Sequence, residues 1–442
     1  MAYIPHTEQD RRAMLETIGV GSINELFREI PEALRVQEMD LPKALDEHQL
    51  YIHLREIAAK NVNLADTVCF MGAGIYDRYV PSLVGAVLSR GEFLTAYTPY
   101  QPEFSQGYLQ TIYEFQTMVA ELYGMDLANA SMYDGATAMA EAAILATGVA
   151  NRTKIVVSGA VHPNYRHVLD TYCWSNELTV QTIAPTDGAT TDYSAVDGET
   201  ACVIVQYPNF YGIIEDLGAA RDAARAAGAM FIVVADPTAM GLLKPPGAFD
   251  ADIVVGEGQP LGIPMGLGGP GCGLFACKQE HVRRIPGRIV GRTTDHAGNP
   301  GYVMTLRTRE QDIRREKATS NICTNEALMA MAATVYMTAL GKNGLRSVAE
   351  STVRNTQYAM RQLTEAGGRV KFPGRVFGEF VLELPRDAEA VQKELLKQRI
   401  LAGLPLGVFD ESLKNCLLVA VTEIRTKAQI DQFARLLRAA IA

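Results

Sequence analysis

The chain has 442 residues, 48% of them apolar, and a formal net charge of −9. This length allows two or three domains with a sizeable core, and the acidic balance argues against a general nucleic-acid-binding protein. No apolar run reaches the roughly 18 residues of a membrane span, and the N-terminus lacks a secretory signal pattern. Seven scattered cysteines without a C-x-x-C pair predict reduced thiols in a cytoplasmic protein and no metal site.

Residues 1–65 are predicted to form an N-terminal helical arm. Ser22 and Glu25 have the spacing of a capping box before the sequence LFREI, and Pro31 ends that segment. A second amphipathic stretch covers 46–61. Such an arm either lies over a partner subunit or packs on its own domain.

Residues 66–325 alternate between apolar runs and helical patterns, which predicts a large α/β domain. The apolar runs cover 154–159, 201–208, 230–237, 251–258 and 272–277. Near-continuous apolar strands separated by helices indicate a mainly parallel sheet covered on both faces. The link between the last two runs is too short for a crossover helix, so we expect the last strand to be antiparallel.

Residues 326–442 are predicted to form a smaller C-terminal α+β domain. A long helix rich in alanine and methionine opens it at 325–340, and strands follow at 379–385 and 416–423. The last helix carries four apolar residues on one face, at helical spacing: Ile430, Phe433, Leu437 and Ile441.

Three motifs lie beside the predicted strands and could hold parts of one ligand. Asp134 and Gly135 open an alanine-rich helix, whose N-terminus suits a phosphate. Asp236 ends a buried strand, where it could hold a protonated ring nitrogen, and His162 could stack on a ring or relay protons. Each motif also has an ordinary structural interpretation: helix capping by Asp134, backbone capping by Asp236, and a hydrogen-bonded loop position for His162.

Together these motifs match a pyridoxal phosphate site, except for its lysine. That cofactor needs a phosphate cup, a stacking group, an acid for its ring nitrogen and a lysine. Lys244 precedes two prolines, and Lys278 lies at a strand end among charges, so neither is well placed after Asp236. The glycine-rich loop 257–271, EGQPLGIPMGLGGPG, has Gln259 where a reactive side chain would be expected.

Two further segments are candidates for binding. The proline-stiffened stretch YTPYQPEFSQGYLQ, 97–110, is either a rigid polar binding loop or an ordinary turn. Residues 283–317 hold nine Arg or Lys and four acids. We call this segment the basic island; it either binds an anion or steers an acidic partner, or it is a solvated helix face.

Five stretches resemble, in this order, the amino-terminal half of the P-protein of the glycine cleavage system, a pyridoxal phosphate-dependent glycine decarboxylase. They are YTPYQPEFSQG, QYPNFYGIIEDL, GQPLGIPMGLGGPG, PGRIVGRTTD and TREQDIRREKATSNICT. The resemblance covers nearly the whole chain. In that family the protein is either one chain of two homologous halves or two subunits, and a chain of this length resembles the separate alpha subunit. The resemblance implies the fold of aspartate aminotransferase-like, fold type I pyridoxal phosphate enzymes, with a mixed, mainly parallel sheet.

The resemblance also implies where the chemistry takes place. Gln259 stands where the catalytic half has its Schiff-base lysine, so pyridoxal phosphate is expected to be covalently bound to the beta subunit and not to this chain. An alpha2-beta2 heterotetramer would decarboxylate glycine and pass the aminomethyl group to the lipoyl arm of H-protein. The chain alone would be inactive. Asp134, Gly135, His162, Asp236 and Gln259 would then form a vestigial cofactor site.

Any catalytic contribution of this chain is expected from segments that cross into the partner's site. The resemblance points to Thr98, Tyr100, Glu103, Gln106, Thr319, Ser320 and Asn321. They would contact substrate or cofactor, or shape the lipoyl entry. Two alternatives stay open: an independent pyridoxal phosphate enzyme that uses Lys244 or Lys278, and a non-catalytic scaffold for the beta subunit.

Overall fold

The computed structural model describes residues 5–36, 39–266, 268–307 and 310–442. The chain divides into two compact units, Met1–Asn63 and Leu64–Ala442. In the described part of the chain, none of the helices combines the length and the apolar character needed to cross a membrane.

The helices and strands are numbered along the chain. The helices are α1 Glu8–Ile18, α2 Glu47–Ala58, α3 Ser82–Leu88, α4 Gly91–Leu94, α5 Gln106–Tyr123, α6 Gly135–Ala150, α7 Pro163–Ser175, α8 Leu217–Ala226, α9 Gln311–Arg314, α10 Ala327–Glu365, α11 Ala388–Leu396 and α12 Lys427–Ile441. The strands are β1 Val68–Cys69, β2 Leu127–Ala128, β3 Lys154–Ser158, β4 Thr179–Ile183, β5 Thr200–Tyr207, β6 Met230–Ala235, β7 Ile253–Glu257, β8 Gly273–Cys277, β9 Ile289–Thr294, β10 Pro300–Thr305, β11 Arg369–Val370, β12 Glu379–Glu383, β13 Ile400–Leu401, β14 Leu404–Pro405 and β15 Cys416–Ala420.

The first unit contains α1 and α2, and the capping box predicted at Ser22 is wrong. The Ser22 hydroxyl donates to the Glu25 carboxylate at 3.1 Å and makes no cap hydrogen bond to the backbone. The segment that follows forms a short 3-10 helix, Ile23–Phe27, instead of an α-helix. The second predicted helix is confirmed as α2, which has a complete capping box between Asp46 and Gln49.

The large sheet of the second unit has seven strands in the order β2-β8-β7-β6-β5-β3-β4. Strands β3 to β7 are parallel, and β8 is antiparallel to β7, as predicted from the short link. Along β5 and β6, Val203 and Val233 face a core with α5, α8 and α10, while Ile204 and Ile232 face a second core with α6 and α7. The prediction of a mainly parallel sheet covered on both faces is confirmed.

The C-terminal part forms a four-stranded antiparallel sheet, β11-β12-β15-β14. The predicted apolar face of α12 is confirmed, since Ile430, Phe433 and Leu437 are buried and Ile441 is half-buried. The predicted long helix extends to Glu365, with a non-helical residue at Gly341, whose φ is 58° and ψ is −174°. The division of the chain at residues 65 and 325 stays a prediction.

The segment after residue 66 begins among the C-terminal strands. Strand β1 pairs in parallel with β13, and Phe70 lies in the core formed with α12. The chain then crosses to the edge of the large sheet, which places residues 70–79 between the two sheets. We call residues 70–79 the strap.

Candidate functional site

Several predicted site residues meet at the carboxyl ends of the parallel strands, where open α/β sheets bind ligands. His162 and Asp236 line a cavity there, together with Glu257 and with Gly74 and Tyr76 of the strap. Its volume is only about 40 Å³, close to the roughly 30 Å³ share of one water molecule in the liquid. Ligand pockets of ordinary size hold about 300 Å³ or more, so the cavity is far too small for a cofactor.

The N-terminus of α6 is already occupied by groups of the chain itself. Asp134 caps the helix, accepting a hydrogen bond from the Thr137 N–H at 2.8 Å, as its ordinary interpretation predicts. The Gly135 N–H donates to Glu257 Oε2 at 3.0 Å. A Cβ on Gly135 would collide with the Tyr165 hydroxyl. Two of the N–H groups that would receive a phosphate at this helix end, those of Gly135 and Thr137, therefore bond within the protein.

Glu257 is the residue that the sequence analysis missed as a site member. Besides Gly135, its carboxylate accepts hydrogen bonds from the Gln259 N–H at 2.9 Å and the Cys272 N–H at 3.0 Å. Burial raises the pKa of this carboxyl, while the three N–H donors act in the opposite direction. Three converging N–H groups form a built-in anion site, and the chain fills it with its own carboxylate.

The side chain of Gln259 is fully engaged by backbone groups. Its Oε1 accepts from the Tyr76 N–H at 2.9 Å, and its Nε2 donates to the carbonyls of Tyr76 at 3.1 Å and Ile263 at 2.8 Å. A lysine has no acceptor atom and could not reproduce the first of these bonds. The amide therefore fits this position as a clamp on the strap.

His162 is enclosed by groups of its own chain. Its Nδ1 accepts from the Asn164 N–H at 3.1 Å, and its Nε2 lies 2.8 Å from the Ala73 carbonyl. Burial lowers the pKa of the imidazole, and a neutral ring with its proton on Nε2 satisfies both contacts. The ring stacks on Tyr165 at 5.1 Å and meets Phe210 edge-on at 4.9 Å.

Asp236 follows β6 and bonds to a neighbouring residue. Its Oδ1 accepts from the Thr238 N–H at 2.8 Å and from the Thr238 hydroxyl at 2.7 Å. Arg78 of the strap in turn donates to that hydroxyl oxygen at 3.0 Å. Asp236 is thus linked to the strap through one threonine.

These residues do not fit a bound pyridoxal phosphate. A phosphate at α6 would meet the carboxylate of Glu257, and like charges at such short range repel strongly. Gln259 stands in the loop where the lysine is needed, and an amide nitrogen is not a usable nucleophile. Of the four groups that the cofactor needs, the phosphate cup is opposed by Glu257 and the lysine is replaced by Gln259. The strap also lines the small cavity beside His162 and Asp236.

Neither alternative lysine lies at this site, as far as the described residues show. Lys278 Nζ pairs with Asp250 at 2.6 Å and with Asp252 at 2.8 Å. Lys244 Nζ lies 4.4 Å from the centre of the Phe249 ring. Both amines are held by partners away from the cavity of His162 and Asp236.

In the described residues, one group has the composition of a metal site. Ligand atoms of Asp252, Glu280 and His281 lie within 4.8 Å of one another. Asp252, however, already pairs with Arg225 and Lys278, and two cations beside a carboxylate oppose a third. The absence of a bound metal stays a prediction.

The segment 98–100 converges on a buried arginine. Arg288 donates to the Thr98 hydroxyl at 3.3 Å, to the Tyr100 hydroxyl at 3.2 Å and to the Thr324 hydroxyl at 2.7 Å. The Tyr100 ring also has the guanidinium of Arg307 at 5.5 Å, the same distance as that of Arg288. Because Tyr100 is still 53% exposed, these contacts hold an accessible ring and hydroxyl in one position.

Gln106 and Glu103 differ from each other in their surroundings. Gln106 opens α5 and bonds to both backbone groups of Tyr302 in β10, each at 2.9 Å. It therefore fixes the β9–β10 hairpin to the end of the loop. Glu103 is exposed on the same loop.

The residues Thr319, Ser320 and Asn321 line a different cavity, of about 440 Å³, beside α6 and α7. Glu141 of α6 also lines it, and burial raises the pKa of this carboxyl to about 7. Thr98 and Tyr100 are not among the described residues around this cavity. The structure thus gives the two predicted interface segments separate surroundings within this chain.

Comparisons with known proteins identify one family for this chain. A sequence model described as "Glycine cleavage system P-protein" matches residues 1–437. A protein of Bacillus cytotoxicus named "Probable glycine dehydrogenase (decarboxylating) subunit 1" is 52% identical over 433 residues, 97% of each chain.

Solved structures indicate the same family. A glycine decarboxylase (P-protein) of the glycine cleavage system, in inhibitor-bound form, superposes with a TM-score of 0.93 at 45% identity over 100% of both chains. A sphingosine-1-phosphate lyase of Burkholderia pseudomallei, at 15% identity, has a TM-score of 0.67 over 92% of this chain and 94% of its own, and shows the fold alone. The predicted fold type I of pyridoxal phosphate enzymes is confirmed.

Proposed function

Because this chain belongs to the glycine cleavage system P-protein family, we propose that it completes a glycine decarboxylase whose cofactor is bound to a partner subunit. The chain is a subunit of the P-protein, the glycine dehydrogenase (decarboxylating) of that system. The observation that carries the proposal is Gln259, whose amide is bonded to Tyr76 and Ile263 where a cofactor lysine is expected.

The partner is a homologous beta subunit with a lysine at the equivalent position. Pyridoxal phosphate bound there supplies the electron sink for loss of the glycine carboxylate. In this chain, Glu257 repels a phosphate and Gln259 provides no amine, so the chain has no activity alone. We further propose a cytoplasmic assembly of two alpha and two beta subunits.

This chain contributes side chains to the active site at the interface between the subunits. Tyr100 is the strongest candidate, because its exposed ring and hydroxyl are held between Arg288 and Arg307. Two guanidinium groups beside a hydroxyl suit a carboxylate or phosphate. Such a ligand would compete with Asp312, which pairs with Arg307 at 2.8 Å, and with Glu310, which lies 3.9 Å from Arg288. Thr98 shares the Arg288 contact, and Gln106 holds the loop to β10.

The other predicted interface residues would contact the partner subunit or the lipoyl arm. Glu103 and Asn321 are exposed, so they are accessible to a partner. Thr319 and Ser320 line the cavity beside α6 and α7, where they would shape the lipoyl entry or contact the beta subunit.

The acceptor of the aminomethyl group is the lipoyl arm of H-protein. The basic island would bind H-protein. Arg283, Arg284 and Arg314 line one cavity of about 700 Å³, and no acid is among its described lining residues. An arginine-lined surface on a chain of net charge −9 favours encounter with an acidic partner.

Glycine–bicarbonate exchange tests the proposal. We expect none from the purified chain, which should also show no cofactor absorbance, and we expect exchange when the beta subunit is added. The beta subunit alone, at the same concentration, shows how much of the exchange needs this chain. Strong exchange by this chain alone would overturn the proposal.

A scaffold without catalytic contacts is the second candidate, and one observation favours it. The strap fills the site that a catalytic subunit would keep open. A scaffold would restore exchange through assembly alone, so substitutions at Tyr100 would leave the rate of the assembled complex unchanged.

A further inference from the structure

The strap starts as part of the C-terminal strands. The Phe70 N–H donates to the Leu401 carbonyl at 2.7 Å, and the Ala420 N–H donates to the Phe70 carbonyl at 2.8 Å. The Phe70 ring packs on Phe433 of α12, with ring centres 4.7 Å apart. One end of the strap is therefore built into the C-terminal core.

Glu379 of β12 holds the middle of the strap from the same side. Its carboxylate accepts from the Ala73 N–H and from the Tyr76 hydroxyl, both at 2.7 Å. A Cβ on Gly72 would collide with this carboxylate and with Ala420. The strap thus lies against β12 and β15 at a position that only glycine allows.

The large sheet holds the strap with the residues predicted to hold the cofactor. Gln259 bonds to both backbone groups of Tyr76, and His162 contacts the Ala73 carbonyl. Two residues of the vestigial site therefore have a chain segment as their partner.

The last part of the strap bridges both sides with partly buried ion pairs. Arg78 pairs with Glu423 at 2.6 Å and bonds to Thr238 at 3.0 Å. Asp77 pairs with Arg425 at 2.7 Å. Arg78 and Arg425 are buried. Because breaking either pair would leave a buried arginine without its acid, these contacts resist opening.

We propose that the strap is a lock, which occupies the place of the cofactor and fixes the C-terminal sheet to the large sheet. Clefts between packed parts of an enzyme open and close around ligands, and here the chain closes its own cleft permanently. Glu257 takes the place of the phosphate and Gln259 clamps the strap. The inference rests on the proposed function only in that this chain carries no cofactor.

Hydrogen exchange of the full chain measures the lock. Q259A removes the clamp, and we expect peptides covering residues 70–79 to exchange at least about tenfold faster, since several buried hydrogen bonds are lost. Q110A, at an exposed glutamine of α5, should leave them unchanged. Y76F, which removes only the hydroxyl bond to Glu379, provides the same readout if Q259A does not fold. Unchanged exchange of the strap in a folded Q259A or Y76F would overturn the lock.

A second readout concerns the filled site. Q259K, incubated with pyridoxal phosphate and reduced with borohydride, should show no adduct on the introduced lysine by peptide mass mapping. An adduct there would show that the site is open and would overturn the inference. Neither readout uses decarboxylation, so failure of the lock and failure of the proposed function are separable: exchange activity of the chain alone overturns only the latter.

Discussion

The side-chain amide of Gln259 pairs with the backbone of Tyr76 through two hydrogen bonds, of 2.9 Å from its N–H and 3.1 Å to its carbonyl. The two residues are 183 positions apart in the chain. The pairing holds two distant segments of the chain together, so the loop around Gln259 has a structural role that needs no nucleophile.

Removing the negative charge of Glu257 should destabilise the fold. E257Q replaces one acceptor oxygen by an NH₂ group that faces N–H donors, so we expect a loss of about 2–4 kcal/mol in the free energy of unfolding. Urea denaturation measures it. E280Q, at an exposed glutamate, is the control and should stay within about 0.5 kcal/mol of wild type. Equal stability of the two variants would contradict the role given to Glu257.

Glu379 should make stability fall as pH rises. Burial raises the pKa of its carboxyl from an ordinary 4.5 to about 7 in the folded chain, so between these values the folded state binds more protons than the unfolded state. Its contribution is therefore complete below pH 4.5 and is lost as pH rises through about 7.

Comparison with E379Q isolates this effect. We expect the stability of wild type relative to E379Q to fall by about 1–3 kcal/mol between about pH 5 and pH 8. Glu141 has a carboxyl pKa raised to about 7 as well, so E141Q is measured in parallel. A relative stability that rises with pH would show that the sign is wrong.

Tyr100 distinguishes a catalytic contribution from a scaffold. Y100F keeps the ring between Arg288 and Arg307 and removes the hydroxyl, so we expect exchange by the assembled complex to fall about tenfold. Y97F, at a tyrosine that is 82% exposed, is the matched control. Sedimentation confirms assembly of both, and unchanged exchange in assembled Y100F favours the scaffold.

The basic island should raise the association rate with H-protein. We expect the association rate to fall with ionic strength, and R283Q/R314Q to weaken that dependence. R354Q, at an exposed arginine of α10, should behave as wild type. Stopped-flow binding to the complete complex measures these rates, and an association rate independent of salt would contradict steering.

The sheet was predictable because its strands have a local signature. Residues 230–235 and 253–257 are buried on both faces, and the length of a link decides the direction of β8. The two-residue strand β1 has no such signature, because its pairing with β13 joins residues more than 300 positions apart.

The contents of the site were less predictable than its position. The order of strands and motifs indicates where His162, Asp236 and Gln259 lie, but not that residues of the strap are their partners. Glu257 is only the first residue of the glycine-rich loop in the sequence, and only the fold brings the N–H groups of Gly135 and Cys272 to it. The Ser22–Glu25 pattern failed for a related reason. A local motif does not reveal whether the hydroxyl accepts from a backbone N–H, as in a capping box, or donates to the Glu25 carboxylate, as it does here.

The filled site also bears on which substitutions this chain can accept. Restoring a lysine at 259 would leave Tyr76 without its acceptor and Glu257 in the phosphate position. Each single substitution would cost stability without opening the site, so a cofactor bound at position 259 would require several coordinated substitutions. The contacts that hold the strap therefore make this specialisation hard to reverse.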